Sequence, residues 1–213
     1  MSLKVLEEGW CYLTDHLTKI TVSPLNENFM LKDGKCLLGK CDPNNNEFDK
    51  LLFASRNIKD VAIPSNIKII SQCAFQWCDN LTKVDIPTDS NLQTIESLAF
   101  CSSSIRHIFI PSKVSKICEF AFSYCYYLKN VEIATDSILQ TIEPSTFEHS
   151  YIDQICIPPN ISKICESAFS DCWTLKIIEI SEGSKLESIQ LSSFSGCKKL
   201  IIMIPSLLNN LIP

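Results

Sequence analysis

One spacing constrains this chain more than any other property. The first apolar residue of an I/V-x-I unit falls at Val61, Val84, Ile108, Val131, Ile155, Ile178 and Ile202, in steps that alternate between 23 and 24 residues. The longer step follows Ile86, Ile133 and Ile180, where the loops IPTDSNL, IATDSIL and ISEGSKL replace the shorter IPSKV. The underlying period is therefore 47, a doublet of two slightly different turns. A fixed period in this range marks a stacked solenoid, in which no single repeat buries its apolar face and each depends on its neighbours.

Within each unit, L-x-x-V-x-I (Leu81, Val84, Ile86; Leu128, Val131, Ile133; Leu175, Ile178, Ile180) alternates as a strand with one buried face does. A second apolar pair follows, such as Ile67 with Ile70 or Val114 with Ile117, and then a segment containing Ala-Phe or a near equivalent. That segment is short, so it is expected to form one or two helical or 3-10 turns on the outer side. Phe75, Phe100, Phe122, Phe147, Phe169 and Phe194 would point inward from it as a stacked column. The neighbouring run Tyr124, Cys125, Tyr126, Tyr127 is expected to lie half-buried as packing.

Residues 1–60 are read as an N-terminal cap and residues 61–213 as one continuous solenoid with a truncated last repeat. In the cap, LTKITVSP at Leu17 to Pro24 parallels LTKVDIP at Leu81 to Pro87, predicting an early rung at Ile20 to Val22. The first fifteen residues suit a short helix or irregular turns. Asp33-Gly34 between two apolar runs predicts a β-hairpin.

The pattern I-x-I-P, I-x-x-I, A-F-x-x-C-x-x-L resembles the BspA-like leucine-rich repeats of surface proteins in bacteria and parasitic protists. The resemblance implies an α/β-type, leucine-rich-repeat-like solenoid, with a parallel sheet on one face and short helical or 3-10 turns on the other. It also implies a cell-surface or adhesion protein that binds other proteins, host or extracellular-matrix proteins among them. Relatives in that family usually carry Gly after the second Ile; here Ser71, Glu96, Cys118, Glu143, Cys165 and Gln190 stand there, which argues against a positive-φ turn at that position.

The net charge of −5, without a basic stripe, argues against nucleic acid or an anionic membrane as partner. No apolar run reaches the roughly 18 residues of a membrane-spanning helix, and the first residues lack a signal-peptide layout. That leaves a cytoplasmic location, and with it an intracellular protein-interaction scaffold, as the alternative to the cell surface.

Twelve cysteines and three histidines form no zinc pattern, and Cys78, Cys125, Cys172 and Cys197 all follow the repeat Phe by three residues. Small buried thiols are the expectation, largely unpaired, with Cys172 and Cys197 the one plausible bridge because they sit on adjacent rungs. No cofactor, metal or catalytic residue is assigned, and no enzyme activity, a hydrolase being the weakest alternative. Cys156 and His107 fall two rungs apart, too far for a nucleophile and its base.

With Val84 and Ile86 facing inward, their neighbours face out. Lys83, Asp85, His107, Phe109, Asn130, Glu132, Gln154, Cys156 and Glu179 then form two columns on the exposed sheet face, the expected partner-binding residues. Asp85, Glu132 and Glu179 recur on every second rung, roughly 9.5 Å apart, too far to share a calcium ion easily. Asn80 and Asn160 fit the glycosylation acceptor triplet. The closing LIIMIPSLLNNLIP begins another repeat in either of two registers, and its apolar flanks point to self-association there.

Overall fold

The computed structural model describes residues 3–205. Its strands are β1 (Met30–Lys32), β2 (Cys36–Gly39), β3 (Lys50–Ala54), β4 (Asp60–Ala62), β5 (Ile69–Ile70), β6 (Lys83–Asp85), β7 (Thr94–Ile95), β8 (His107–Ile110), β9 (Lys116–Ile117), β10 (Asn130–Ile133), β11 (Thr141–Ile142), β12 (Gln154–Ile157), β13 (Lys163–Ile164), β14 (Ile177–Ile180), β15 (Ser188–Ile189) and β16 (Ile201–Met203).

From β4 onward the even-numbered strands stack in parallel as the first wall. β4 pairs with β6, and β8-β10-β12-β14-β16 form a continuous ladder beside them. The period fixes the register. Val61 lies opposite Val84, Ile108 opposite Val131, Ile155 opposite Ile178 and Ile178 opposite Ile202, so each inward side chain rests on its equivalent one turn away. The two-residue strands β5, β7, β9, β11, β13 and β15 build a second wall, whose Ile70, Ile95, Ile117, Ile142 and Ile164 are buried.

Between the walls runs the phenylalanine column. Phe75, Phe100, Phe122, Phe147, Phe169 and Phe194 stack ring on ring with centroids 4.8, 5.2, 5.4, 5.2 and 5.6 Å apart. Each fully buried ring contributes about 1.5–3 kcal/mol through area removed from water alone.

The outer side differs from the sequence expectation. Among the described residues it contains no helical or 3-10 turn. Its backbone instead alternates between two kinds of hydrogen bond. Cys73, Phe75 and Trp77 donate to Ser97, Ala99 and Cys101 of the following turn, while Ala74, Gln76 and Cys78 close β-turns onto Ser71, Cys73 and Phe75. The same alternation recurs at Phe122 and Tyr124, which donate to Thr146 and Glu148. A helix would spend its N–H groups within the segment; this wall spends half of them on the next turn.

The alternation requires two left-handed residues per turn, four apart. They are Cys73 and Trp77, Leu98 and Ser102, Phe120 and Tyr124, Ser145 and His149, Ser167 and Asp171, Ser192 and Gly196. Positive φ is thus displaced two residues beyond Ser71, Glu96 and their equivalents, which themselves avoid it, and glycine fills only one of these positions. Gly196 has a further reason to lack a Cβ, which would come within about 3.1 Å of the Asp171 Cα and closer still to its carboxylate.

The cysteines that follow the repeat Phe serve the stacking. Cys125, Cys172 and Cys197 donate from Sγ to the carbonyls of Phe100, Phe147 and Phe169 on the preceding turn, at 3.1, 3.0 and 3.2 Å. All twelve cysteines are free, Cys172 and Cys197 included. Thr146 and Ser193, where alanine precedes Phe elsewhere, satisfy their hydroxyls on the carbonyls of Glu143 and Gln190.

At the N-terminal side, Lys32 pairs with Cys36 across a three-residue connection in which Asp33 and Gly34 both take positive φ and the Lys35 N–H closes a turn onto Lys32 O at 3.0 Å. The hairpin joins β3, and β3 runs parallel to β5, so this insertion extends the second wall. The early rung at Ile20 to Val22 is absent: those residues form no strand. Leu17, Ile20 and Val22 instead cover a satellite core of Phe29, Leu37 and Phe53, because the hairpin presents an apolar face that needs covering. Residues 8–13 form turns, not a helix.

One residue absent from the sequence reading ties this cap down. Arg56 is 3% exposed, and its guanidinium donates to the carbonyls of Thr14, Ala74 and Cys73 at 3.1, 2.9 and 3.1 Å while lying 4.5 Å from the Phe53 ring.

Candidate binding surface

The outward side chains of the first wall alternate with the buried ones, so the strand period of two dictates the surface. His107, Asn130, Gln154, Ile177 and Ile201 align in one column, and Phe109 lies opposite Glu132, Cys156 opposite Glu179 and Glu179 opposite Met203 in the other. Lys83 and Asp85 extend the face at its N-terminal end, where they pair with each other at 2.6 Å.

The face is not flat. An open depression of about 610 Å³ lies over β10 and β12. Phe109, Asn130, Glu132, Gln154, Cys156 and Glu179 line its floor, while Lys83, Asp85 and His107 fall outside it. Thr88, Thr135 and Asp136 form part of its wall. Thr88, Thr135 and Asp136 belong to the longer loops of the 47-residue doublet, so the alternation of 23 and 24 that sets the period also raises a rib beside every second strand. Within those loops Ser90, Ser137 and Ser184 accept the N–H of Leu92, Leu139 and Leu186 at 3.2, 3.2 and 3.1 Å, fixing the rib.

The depression offers an aromatic ring, two amides and carboxylates converging on an open hollow. Such a surface suits recognition of a macromolecule. The ladder places β10 between Cys156 and His107, and the Cys156 thiol lies 3.3 Å from the Ser181 hydroxyl. Burial pushes the thiols of Cys125 and Cys172 up to about 12, far from a reactive thiolate. Among the described residues no group of His, Cys, Asp and Glu is disposed to hold a metal. No helix among them is long and apolar enough to cross a membrane.

Of the two glycosylation triplets, the Asn160 amide is engaged on both sides. It donates to Ser137 O at 2.9 Å and accepts from Lys185 Nζ at 2.8 Å, tying three turns together. Asn80 is exposed.

At the far end the register of the closing repeat is resolved. Ile202 occupies the inward column, yet it is 37% exposed, and Ile201, Met203 and Ile204 are 61, 52 and 61% exposed. Leu208 and Leu211, which continue the pattern, lie outside the described residues.

Solved structures with this architecture are leucine-rich repeat proteins. One from Eubacterium ventriosum superposes with a TM-score of 0.68 at 21% identity, covering 95% of this chain and 58% of that one. The chain thus spans less than two thirds of that protein's length. The T. pallidum leucine-rich repeat protein superposes with a TM-score of 0.55 at 19% identity, covering 89% of this chain and 94% of that one. At these identities the likeness speaks for the fold alone. No curated protein matches. The repeats themselves match the family model of the BspA type leucine rich repeat region in six copies, over residues 46–176 and 93–211. With the strand register, the buried phenylalanine of each turn and the family pattern coinciding over most of its length, the chain belongs to the BspA-type leucine-rich repeat family.

Proposed function

We propose that this protein is a non-enzymatic binding module that engages another protein through the depression on its first wall, as part of a cell-surface or adhesion protein. The observation that carries the reading is the convergence of Phe109, Glu132, Cys156 and Glu179 in one open hollow bounded by the doublet's ribs. An aromatic ring ringed by polar groups is the composition of an interaction hot spot. A host or extracellular-matrix protein is the partner class the family suggests.

The test is charge reversal on the face, Asp85→Lys with Glu132→Lys and Glu179→Lys, with binding measured against a panel of immobilised extracellular-matrix proteins. Exposed positions rarely change stability by more than about 0.5 kcal/mol each, so the melting curve should be nearly unchanged. Retention of the wild type and its loss in the triple variant are expected. Equal retention of both, or none of either, overturns the reading.

A second reading, an intracellular scaffold using the same face, is favoured by the twelve free cysteines, since oxidising compartments tend to pair them. The free-thiol content of the protein purified from its native source separates the two: fully reduced thiols favour the scaffold, and bridges the surface protein.

We also infer self-association through β16, supported by the exposed Ile201, Ile202, Met203 and Ile204. Sedimentation over a wide concentration range should reveal it, and Ile202→Lys should weaken it; a strict monomer at high micromolar concentration rules it out.

A further inference from the structure

The three longer turns of the doublet can be compared position by position on the first wall. β6 presents Lys83 and Asp85, β10 presents Asn130 and Glu132, and β14 presents Ile177 and Glu179. The second column thus carries an acid on each of these turns, while the first carries a lysine on β6 alone. There Lys83 neutralises Asp85 at 2.6 Å. Asn130 and Ile177 have no charge with which to do the same for Glu132 and Glu179.

The two uncompensated acids are the ones that line the depression, and Asp136 of the rib joins them. All three are exposed, and no lysine, arginine or histidine lines the hollow. Among the described residues none of the three pairs with a cation. The cations around the hollow are engaged or set apart. Lys113 donates to Asn91 Oδ1 at 2.7 Å and Lys185 to Asn160 Oδ1 at 2.8 Å, while Lys129 lies 3.8 Å from Asp153. Arg106 and Lys176 directly precede β8 and β14, at the strand ends away from the ribs.

We propose that the depression takes an arginine side chain of the partner protein, an inference that rests on this face being the binding surface. Like charges gathered without a counter-charge favour a ligand that brings one, and they repel an anionic ligand. Phe109 narrows the choice of cation. It lies opposite Glu132 across one ladder spacing of about 4.8 Å, so a cation within about 6 Å of the ring is also within reach of that carboxylate. A guanidinium is planar: its face stacks on the half-buried ring while its edge donates to the carboxylate. The amide oxygens of Asn130 and Gln154, which also line the hollow, are acceptors for its remaining N–H groups. An ammonium is compact and strongly hydrated, so it satisfies the carboxylate and gains less from the ring.

The experiment titrates the whole chain at physiological salt with a fluorescent peptide of alternating arginine and serine, beside peptides in which lysine or glutamate replaces arginine. Saturable binding of the arginine peptide is expected, with the lysine peptide about three- to tenfold weaker and the glutamate peptide unbound. Asn130→Lys restores on β10 the pair that β6 already carries, so it should fold as the wild type does and weaken the arginine peptide about tenfold. Phe109→Leu should weaken the arginine peptide more than the lysine peptide. Glu119→Gln, which removes one exposed charge from the outer turns, should change nothing. Equal binding of the arginine and lysine peptides, indifference to Asn130→Lys or Phe109→Leu, an equal loss in Glu119→Gln, or absence of binding at millimolar peptide each overturns the proposal. If matrix proteins are retained through the sheet face while the arginine peptide is not bound, the binding module stands and arginine is not its ligand; if neither is retained, both fall.

Discussion

Three consecutive turns of this solenoid carry two aromatic side chains four residues apart, and the pairs contrast sharply. Phe122, Phe147 and Phe169 stack face to face, with interplanar angles of 10 and 14°, and are essentially inaccessible. Tyr126, Tyr151 and Trp173, on the same turns, meet at 75 and 52° and remain wet on one side. Both columns repeat with the backbone, but only the inner one is confined between two walls. Confinement enforces parallel stacking; at the surface the ring quadrupoles are free to choose edge-to-face contact. The difference teaches that periodicity places a side chain, while burial decides what it contributes: the inner column holds the turns together and the outer one stays open to solvent.

The largest effect should come from breaking the inner column. Phe122→Ala removes a ring stacked on both sides, and a loss of about 3–5 kcal/mol is expected by denaturant unfolding. Next comes an assault on the whole interior by pH. Burial raises the thiols of Cys36, Cys73, Cys125 and Cys172 to about 12, so between the ordinary thiol value and that one the unfolded chain gives up protons the folded chain retains. Stability is then fully present below about pH 8.5 and is lost as pH rises towards the folded values. A midpoint that falls steadily between about pH 9 and pH 11 would bear this out, and replacing Cys125 by alanine should shallow that slope even while it lowers stability at neutral pH. The smallest effect belongs to the left-handed positions beside the outer column. Tyr124→Gly relieves left-handed strain and forfeits the contact with His149, terms of about 1 kcal/mol each and opposite sign. The melting temperature should move by no more than about 2–4 °C.

What the sequence reveals follows the same division. The phenylalanine column, the inward isoleucines and the outward columns of the first wall all repeat, and a repeat is readable because each copy corroborates the next. The outer turns read as helical in the sequence because their hydrogen bonds run between turns, and spacing within one segment carries no sign of a partner twenty-odd residues away. Ile20 to Val22 repeats the rung pattern, yet those residues answer to the hairpin's apolar face instead of the ladder. Arg56 occurs once and follows no pattern. In the depression, Phe109, Glu132, Cys156 and Glu179 were visible as a column, but the wall from Thr135 and Asp136 needed the loops in three dimensions, although their extra residue was already present in the alternating step. The outer rings were visible only as the tyrosine run, because Tyr151 and Trp173 lie in separate repeats.

The alternating bonds of the outer turns bear on Arg56. The N–H of Phe100 points forward to Ala121 while the carbonyl of Ala99, in the same peptide unit, points back to Phe75. Every inter-turn peptide along this wall is oriented the same way, so their dipoles, about 3.5 D apiece, add along the solenoid axis as they do along a helix. The negative end of this column faces the N-terminal side, where the Ala74 carbonyl accepts both the Ala54 N–H and the Arg56 guanidinium, each at 2.9 Å. A buried arginine whose hydrogen bonds go to carbonyls instead of a carboxylate is compensated by the negative ends of those carbonyl dipoles, the Ala74 carbonyl heading the outer column among them. The outer turns are thus directional, in the sense opposite to the strand walls, where Glu96 and Cys118 donate back to Ile70 and Ile95, and the cation at the N-terminal end of the outer column also anchors the cap.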